Sequence, residues 1–153
     1  MPRPDPRYRR GLPYVQCMQR FADLFTALDQ TTSTKAKVAA LAGYLCEAPE
    51  DDRLWTIALL SGRRPKRTVT TTRLREWAAE RAGLPLWLFE ASYDVVGDLA
   101  ETIALVLPPP TKSTTRSLAD WIGWLKALAQ LEEQDRRPEL LAAWDSLQGP
   151  QRM

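Results

Sequence analysis

The sequence predicts an all-α fold, a compact bundle-like arrangement of many helices. Apolar residues recur at the three- and four-residue spacing of amphipathic helices in successive segments. Groups of Gly, Pro, Ser or Thr separate these segments, and no segment alternates apolar and polar residues between hairpin turns. A length of 153 residues suffices for one compact domain with its own core.

Three helices are predicted before residue 62. The first runs from Met18 to about Asp29, with an inner face at i, i+3, i+4 and i+7: Phe21, Leu24, Phe25 and Leu28. The hydroxyl run Thr31–Thr34 caps the second helix, whose predicted buried stripe is Val38, Leu41, Ala42 and Leu45. The third helix spans Glu50 to Leu60, begins with three acids that suit the helix dipole, and ends at Ser61-Gly62.

Two further helices are predicted between residues 71 and 96. Thr71 or Thr72 caps the fourth, Gly83 ends it, and its inner face is Leu74, Trp77 and Ala78. Pro85 begins the fifth, whose inner face is Leu86, Phe89, Tyr93 and Val96.

Three further helices and one polar loop are predicted after residue 96. Gly97-Asp98 breaks the chain before a helix over Leu99 to Leu107, with Asp98 as its cap, and residues 111–116 form a polar loop. Ser117 begins a helix with the inner face Leu118, Trp121, Ile122, Leu125 and Leu128. Pro138 begins the last helix.

The six tryptophans lie mostly on these stripes, where core packing is the commoner role and base stacking the alternative. Core positions are predicted for Trp77, Trp121 and Trp144. The other three compete with an apolar neighbour for the inner face, so their burial stays open: Trp55, Trp87 and Trp124.

Composition excludes much of enzyme chemistry. The chain has no histidine, which excludes Ser-His-Asp triads, Cys-His pairs, histidine zinc sites and an imidazole base. Cys17 and Cys46 are too few for a metal cluster, and the expected setting is reduced and cytoplasmic. No nucleotide-binding or hydrolase motif is present, and no apolar stretch is long enough to span a membrane.

Charge is unevenly distributed along the chain. Through Arg75 there are 14 Lys and Arg against seven Asp and Glu, whereas the remainder holds seven against twelve. Residues 1–17 carry four arginines and three alternating prolines, which predicts a disordered basic arm without the apolar core of a signal peptide. A basic half indicates a polyanionic partner, or pairing with the acidic half of the same fold.

Two segments have the residue types of a phosphate-binding surface. The first holds six cations within thirteen residues, interleaved with threonines and without an acid: Arg63, Arg64, Lys66, Arg67, Arg73 and Arg75. Arg and Thr both donate to phosphate oxygens, although a solvated charge run is an equally good interpretation of composition alone. In the second, Lys35 and Lys37 follow the Thr31–Thr34 run, where a helix dipole favours acids instead.

Several blocks resemble the N-terminal domain of bacterial ATP-dependent DNA ligases over about Met18 to Leu147. They are MQRFADLFTALDQTTSTKAKVAALAGYL, LLSGRRPKR, LREWAAERAGLPLWLFEASYDVVGDLAETIALVLPPP and LADWIGWL. The resemblance implies an all-helical domain that, with two catalytic domains, encircles nicked duplex DNA and grips its minor groove and phosphates without reading sequence. It divides the chain into an arm (1–17), an incomplete ligase N-terminal domain (18–147) and a tail (148–153).

Three blocks of this chain match motifs of that family: Thr31–Lys35, the Gly-Arg turn Ser61–Arg63, and Gly97–Glu101. The first two coincide with the phosphate-binding segments, so these segments supply the predicted DNA contacts. They are Thr32, Ser33, Thr34, Lys35, Lys37, Gly62, Arg63, Arg64, Lys66, Arg67, Thr72 and Arg73.

The resemblance does not supply catalysis. The family carries AMP on the lysine of a K-x-D-G motif and uses ATP and Mg²⁺, whereas no lysine here begins that motif. We therefore expect a chain that is inactive alone, without a cofactor or metal of its own, from a truncated or split ligase reading frame whose family-like start is Met18.

The predicted partner is double-stranded DNA, nicked in the family's context, in the bacterial cytoplasm near the nucleoid and with no membrane involved. The main alternative is an interaction module that docks a separate ligase catalytic domain or a repair partner. A sequence-specific helix-turn-helix regulator is a weaker alternative, because no short helix pair has the compact turn of that motif.

Overall fold

A computed structural model describes residues 17–152, and all regular structure in that range is helical, which confirms the all-α prediction. The helices are α1 (Cys17–Asp29), α2 (Thr34–Glu47), α3 (Glu50–Leu60), α4 (Thr71–Ala82), α5 (Leu86–Val96), α6 (Leu99–Val106), α7 (Leu118–Leu128), α8 (Glu133–Ser146) and α9 (Gly149–Arg152). The predicted arm, apart from Cys17, lies outside the described residues. The predicted tail includes α9. No helix in this range has the length and apolar character to cross a bilayer.

The described residues form two compact units. The first contains the residues up to Arg64 together with Thr115–Trp121, and the second contains Pro65–Thr114 and the residues from Ile122 onward. The first unit therefore holds α1 to α3 and the first turn of α7.

The core of the first unit lies between α1 and α2. Leu24, Tyr44 and Ala48 are buried, and the rings of Phe21 and Tyr44 meet edge to face with centroids 6.4 Å apart. Tyr44 tolerates burial because its phenolic oxygen accepts a hydrogen bond from Thr56 Oγ1 at 3.2 Å.

The predicted inner faces of α1 and α2 are partly wrong. Phe25 and Val38 are 51% and 61% exposed, and Ala42 is exposed as well. On α2 the buried face is centred on Tyr44, whose ring covers more apolar surface than Val38 does, so the helix is rotated relative to the predicted stripe. Phe25 lies at the edge of the face formed by Phe21, Leu24 and Leu28.

A buried carboxylate holds Thr115–Trp121, the segment in which the chain returns to the first unit. Asp52 on α3 is 1% exposed, and its Oδ1 accepts a hydrogen bond from the backbone amide of Ala119 at 2.8 Å. The start of α7 also closes on itself, because the amide of Ser117 donates to Asp120 and the amide of Asp120 donates to the Ser117 hydroxyl. The N-terminus of α7 is thus capped by local and distant side chains together.

The core of the second unit gathers side chains from α4 to α8. Its most deeply buried members include Ala78, Phe89 and Leu128, and Val69 reaches it from the loop before α4. Trp77 and Trp144 belong to this core and Trp121 is buried too, as predicted. Among the three open cases, Trp87 is 70% exposed, whereas Trp55 and Trp124 are half-buried.

Helix ends in the second unit largely follow the predicted signals. Gly83 and Gly97 terminate α4 and α5, and Asp98 caps α6 by accepting from the amide of Glu101 at 2.8 Å. The cap of α4 is Thr70, one residue before the predicted Thr71 or Thr72. Leu86, predicted to face inward, is the first residue of α5 and is 45% exposed, whereas Phe89 one turn later is fully buried.

The start of the last long helix was wrongly predicted at Pro138, which lies inside α8. The additional first turn is held by Arg136, whose guanidinium donates to the carbonyl oxygens of Leu131 and Ala129 in the preceding turn. Because these side-chain hydrogen bonds fix the turn, the helix tolerates the backbone hydrogen bond that Pro138 cannot donate.

We predict that Asp52→Ala lowers the free energy of unfolding by about 2 kcal/mol, since it leaves a buried amide of α7 without its acceptor. Asp52→Asn keeps an acceptor oxygen at this position and should cost about half as much or less. Urea denaturation of both variants at neutral pH measures the difference. Equal losses for Ala and Asn would show that the hydrogen bond to Ala119 contributes nothing.

The same residue should make stability depend on pH. Burial raises the pKa of Asp52 above its ordinary 3.8, against the opposing effect of its hydrogen bonds, so the native state holds this proton more tightly than the unfolded state. The free energy of unfolding therefore includes a contribution from the protonated Asp52 carboxyl. This contribution is lost as the pH rises from 3.8 through the raised pKa. Asp52→Asn, which cannot ionise, should flatten that part of the profile.

Candidate nucleic-acid interface

The cations of the described chain fall into two groups according to their partners. One group is engaged by carboxylates, carbonyl oxygens or aromatic rings and includes Arg20, Arg53, Arg73, Arg75, Arg81, Arg116, Arg136, Arg137 and Arg152. Another group consists of six cations between residues 35 and 67 for which no partner is found within residues 17–152: Lys35, Lys37, Arg63, Arg64, Lys66 and Arg67. All six are exposed. They coincide with six of the predicted DNA-binding residues.

The N-terminal segment of α2, residues 32–37, is shaped by hydroxyl caps. Ser33 Oγ accepts from the amide of Ala36 at 3.3 Å, and Thr31 Oγ1 accepts from the amide of Ser33 at 3.2 Å. Thr32, Thr34 and both lysines are exposed, and the first turn contains no acid. A helix start that presents cations and hydroxyls without a carboxylate is suited to an anion.

The Gly-Arg turn at the end of α3 directs two arginines into solvent. Gly62 has φ +84°, a left-handed conformation that a side chain would strain. The amides of Gly62 and Arg63 donate to the carbonyl oxygens of Leu59 and Ala58, which closes the helix. Arg63 and Arg64 follow directly and are exposed.

The basic loop, residues 65–70, is fixed at its second half. Arg136 on α8 donates to the carbonyl oxygen of Thr68 at 2.7 Å, and Val69 is buried in the core of the second unit. Thr70 then accepts from the amide of Arg73 and caps α4. The anchored half of the loop leaves Lys66 and Arg67 exposed.

Arg73 differs from the other predicted contacts because two acids already engage it. Its guanidinium lies 2.8 Å from Glu76 Oε2 and 2.7 Å from Glu133 Oε1. The hydrogen bond that Arg73 donates to Glu76 and the charge of Glu133 raise the pKa of Arg73. Thr72, by contrast, is an exposed residue in the first turn of α4.

The predicted residues thus belong to both units. The α2 segment and the Gly-Arg turn are parts of the first unit, whereas Lys66, Arg67, Thr72 and Arg73 are parts of the second. The sequence did not reveal Arg136 as the anchor of the basic loop, because its partner lies 68 residues away. The pair of Arg73 with Glu76 does have a sequence signal, since the two residues are three apart on one helix.

Two other features bear on possible chemistry. Within the part of the chain that the structure describes, no three His, Cys, Asp or Glu side chains are grouped to hold a metal ion. An open pocket of about 500 Å³ in the second unit is bounded by Arg73, Trp77, Glu132, Glu133, Gln134 and Arg137. Its lining mixes both signs of charge.

Comparison with known proteins identifies the class of this domain. The family described as DNA ligase N terminus matches residues 18–151. The chain belongs to this family, the N-terminal domain of ATP-dependent DNA ligases. No curated protein and no solved structure matches the chain.

We predict that Arg136→Gln frees the basic loop, because glutamine cannot reach the three carbonyl oxygens that the guanidinium bonds. Trypsin should then cleave after Lys66 and Arg67 about tenfold faster under native conditions. Mass spectrometry of the cleavage products over time measures these rates. The matched control is Arg137→Gln on the same helix, which removes the same positive charge but breaks only the pair with Glu80. Equal acceleration in both variants would show that Arg136 does not anchor the loop.

Proposed function

We propose that this chain binds duplex DNA through its phosphates, without reading sequence, as the N-terminal domain of an ATP-dependent DNA ligase. In that role it serves nick sealing during DNA repair and recombination, in the cytoplasm at the nucleoid. The observation that carries the proposal is the set of six exposed cations, without partners in the described chain, between residues 35 and 67. Family membership makes DNA the polyanion to test first.

The side chains of these segments suit a phosphate backbone. Arginine guanidinium groups bind phosphate oxygens through two parallel hydrogen bonds, and lysines act as point charges. The hydroxyls and amides at the start of α2 add neutral donors. Contacts to phosphate carry no sequence information, so affinity should depend on released counterions.

Catalysis is not part of this proposal. Adenylation requires the K-x-D-G lysine, which this sequence lacks, and ATP and Mg²⁺ would act at a catalytic domain. The chain's own contribution is to hold the duplex.

We predict that binding to a nicked duplex weakens steeply with salt and that neutralising free cations flattens this dependence. Each of three double variants should reduce the slope of log K against log salt by up to about 1.8, as fluorescence anisotropy at several salt concentrations measures. The variants are Lys35→Gln/Lys37→Gln, Arg63→Gln/Arg64→Gln and Lys66→Gln/Arg67→Gln.

The matched control is Arg20→Gln/Arg137→Gln, which removes the same charge from two arginines in ion pairs with Glu47 and Glu80. Its slope should equal that of the wild type. Three unchanged slopes in the double variants, or a control that falls equally, would exclude these residues as the DNA contacts. A shuffled duplex should compete as well as the original sequence.

Exposed apolar side chains favour a second candidate, docking of a separate ligase catalytic domain. Leu54, Ile57 and Leu60 recur at three-residue spacing on α3 and are 62%, 50% and 44% exposed. On α5, Trp87 and Val95 are 70% and 87% exposed. Exposed apolar groups that recur along one helix are typical of interaction surfaces.

This candidate predicts that the chain and an ATP-dependent ligase catalytic domain co-elute in gel filtration without DNA. Ile57→Glu, at the centre of the α3 stripe, should abolish co-elution and leave DNA binding intact. Co-elution only in the presence of nicked duplex would contradict direct docking and support DNA as the bridge.

A further inference from the structure

We propose that Arg73 is a reserve DNA contact, which Glu76 and Glu133 hold in the unbound chain and release when a phosphate arrives at the second unit. This inference rests on the proposed DNA binding and deepens it. It assigns to two acidic residues a role in setting the affinity and salt dependence of that binding.

The position of Arg73 is unfavourable for a cation without a partner. It is the third residue of α4, whose N-terminus carries the positive end of the helix dipole. Its own backbone amide is already used by the Thr70 hydroxyl. The two carboxylates therefore compensate a charge that the start of the helix disfavours, and a phosphate would compensate it equally well.

The ion pairs are exposed, which makes an exchange of partners inexpensive. The side chains of Arg73, Glu76 and Glu133 are 47%, 37% and 62% exposed. Exposed pairs of this kind contribute little to stability, because water solvates each partner well after separation. Glu133 lies at the beginning of α8, so it can turn into solvent without disturbing the core.

The neighbourhood of Arg73 attracts phosphate. Thr70 both caps α4 and ends the basic loop that presents Lys66 and Arg67, so these cations and Arg73 belong to one continuous segment. A backbone phosphate offers a guanidinium two oxygens for bidentate hydrogen bonds, whereas Glu76 and Glu133 each engage Arg73 through one oxygen. Until the exchange, Glu76 and Glu133 repel the same phosphate.

The test is a double-mutant cycle on DNA affinity. Glu76→Gln/Glu133→Gln should tighten binding to a nicked duplex about fivefold at moderate salt and steepen the salt slope by about one. In an Arg73→Gln background the same two substitutions should change affinity by less than about twofold. Asp94→Asn/Glu101→Gln, which removes two exposed acids that form no ion pair within the described chain, controls for net charge and should also stay below about twofold.

Each outcome decides the proposal. Tightening that requires Arg73 and exceeds the charge control supports it. Equal tightening with and without Arg73, or none, overturns it while leaving DNA binding in place. Absence of salt-dependent DNA binding by the wild type overturns the proposed function itself, and this is visible before any variant is compared.

Discussion

The hydrogen bond between Asp52 and the amide of Ala119 determines how the chain completes its first unit. The chain leaves this unit after Arg64 and returns at Thr115, so the start of α7 must be held by residues far away in sequence. A carboxylate that is 1% exposed supplies the acceptor, and the Ser117 and Asp120 cap fixes the same turn. Burial of an ionisable group costs free energy, and here the hydrogen bonds offset only part of that cost, because Asp52 Oδ2 is buried without a partner among the described residues.

The second unit uses a comparable long-range contact of opposite charge. Arg136 reaches back 68 residues to the carbonyl oxygen of Thr68, and it also ties the turn before α8. Asp52 accepts from a backbone amide, whereas Arg136 donates to backbone carbonyl oxygens. In each unit, therefore, one charged side chain binds the backbone of a segment that lies far away in the sequence.

These contacts explain which charges remain available. Arg20, Arg53, Arg81 and Arg137 are engaged by carboxylates or carbonyl oxygens, and such residues contribute little to the external field. The cations between residues 35 and 67 have no such partner in the described chain, and the proposed function assigns them to phosphate. Arg73 lies between the two groups, because it is ion-paired and yet follows the basic loop in one continuous segment.

Local signals predicted helix ends well. The bounds of α3 match the prediction, and Ser61-Gly62, Gly83 and Gly97 end helices as expected, because capping depends on residues within one turn. Helix faces were less predictable. Val38 and Phe25 have the right spacing but lie outside the core, since Tyr44 and its distant partner Thr56 determine the orientation of α2.

For the candidate surface, the sequence identified the exposed cations but not their availability. Whether an arginine is free depends on residues such as Glu133 and Thr68, which are distant in sequence from the arginines they engage. Pro138 shows the same limit in the fold. A proline normally marks a helix start, yet α8 begins before Pro138. The hydrogen bond from the Arg136 side chain to a backbone carbonyl oxygen holds this earlier start, and no sequence spacing reveals it.

The most direct test of the account is chemical footprinting of the five lysines with and without a nicked duplex. Acetylation rates measured by mass spectrometry should fall severalfold at Lys35, Lys37 and Lys66 when DNA is bound. Lys112 and Lys126, outside the proposed surface, should be modified at unchanged rates and serve as controls within the same chain. Protection of Lys112 and Lys126 with no protection of the other three would contradict the proposed surface.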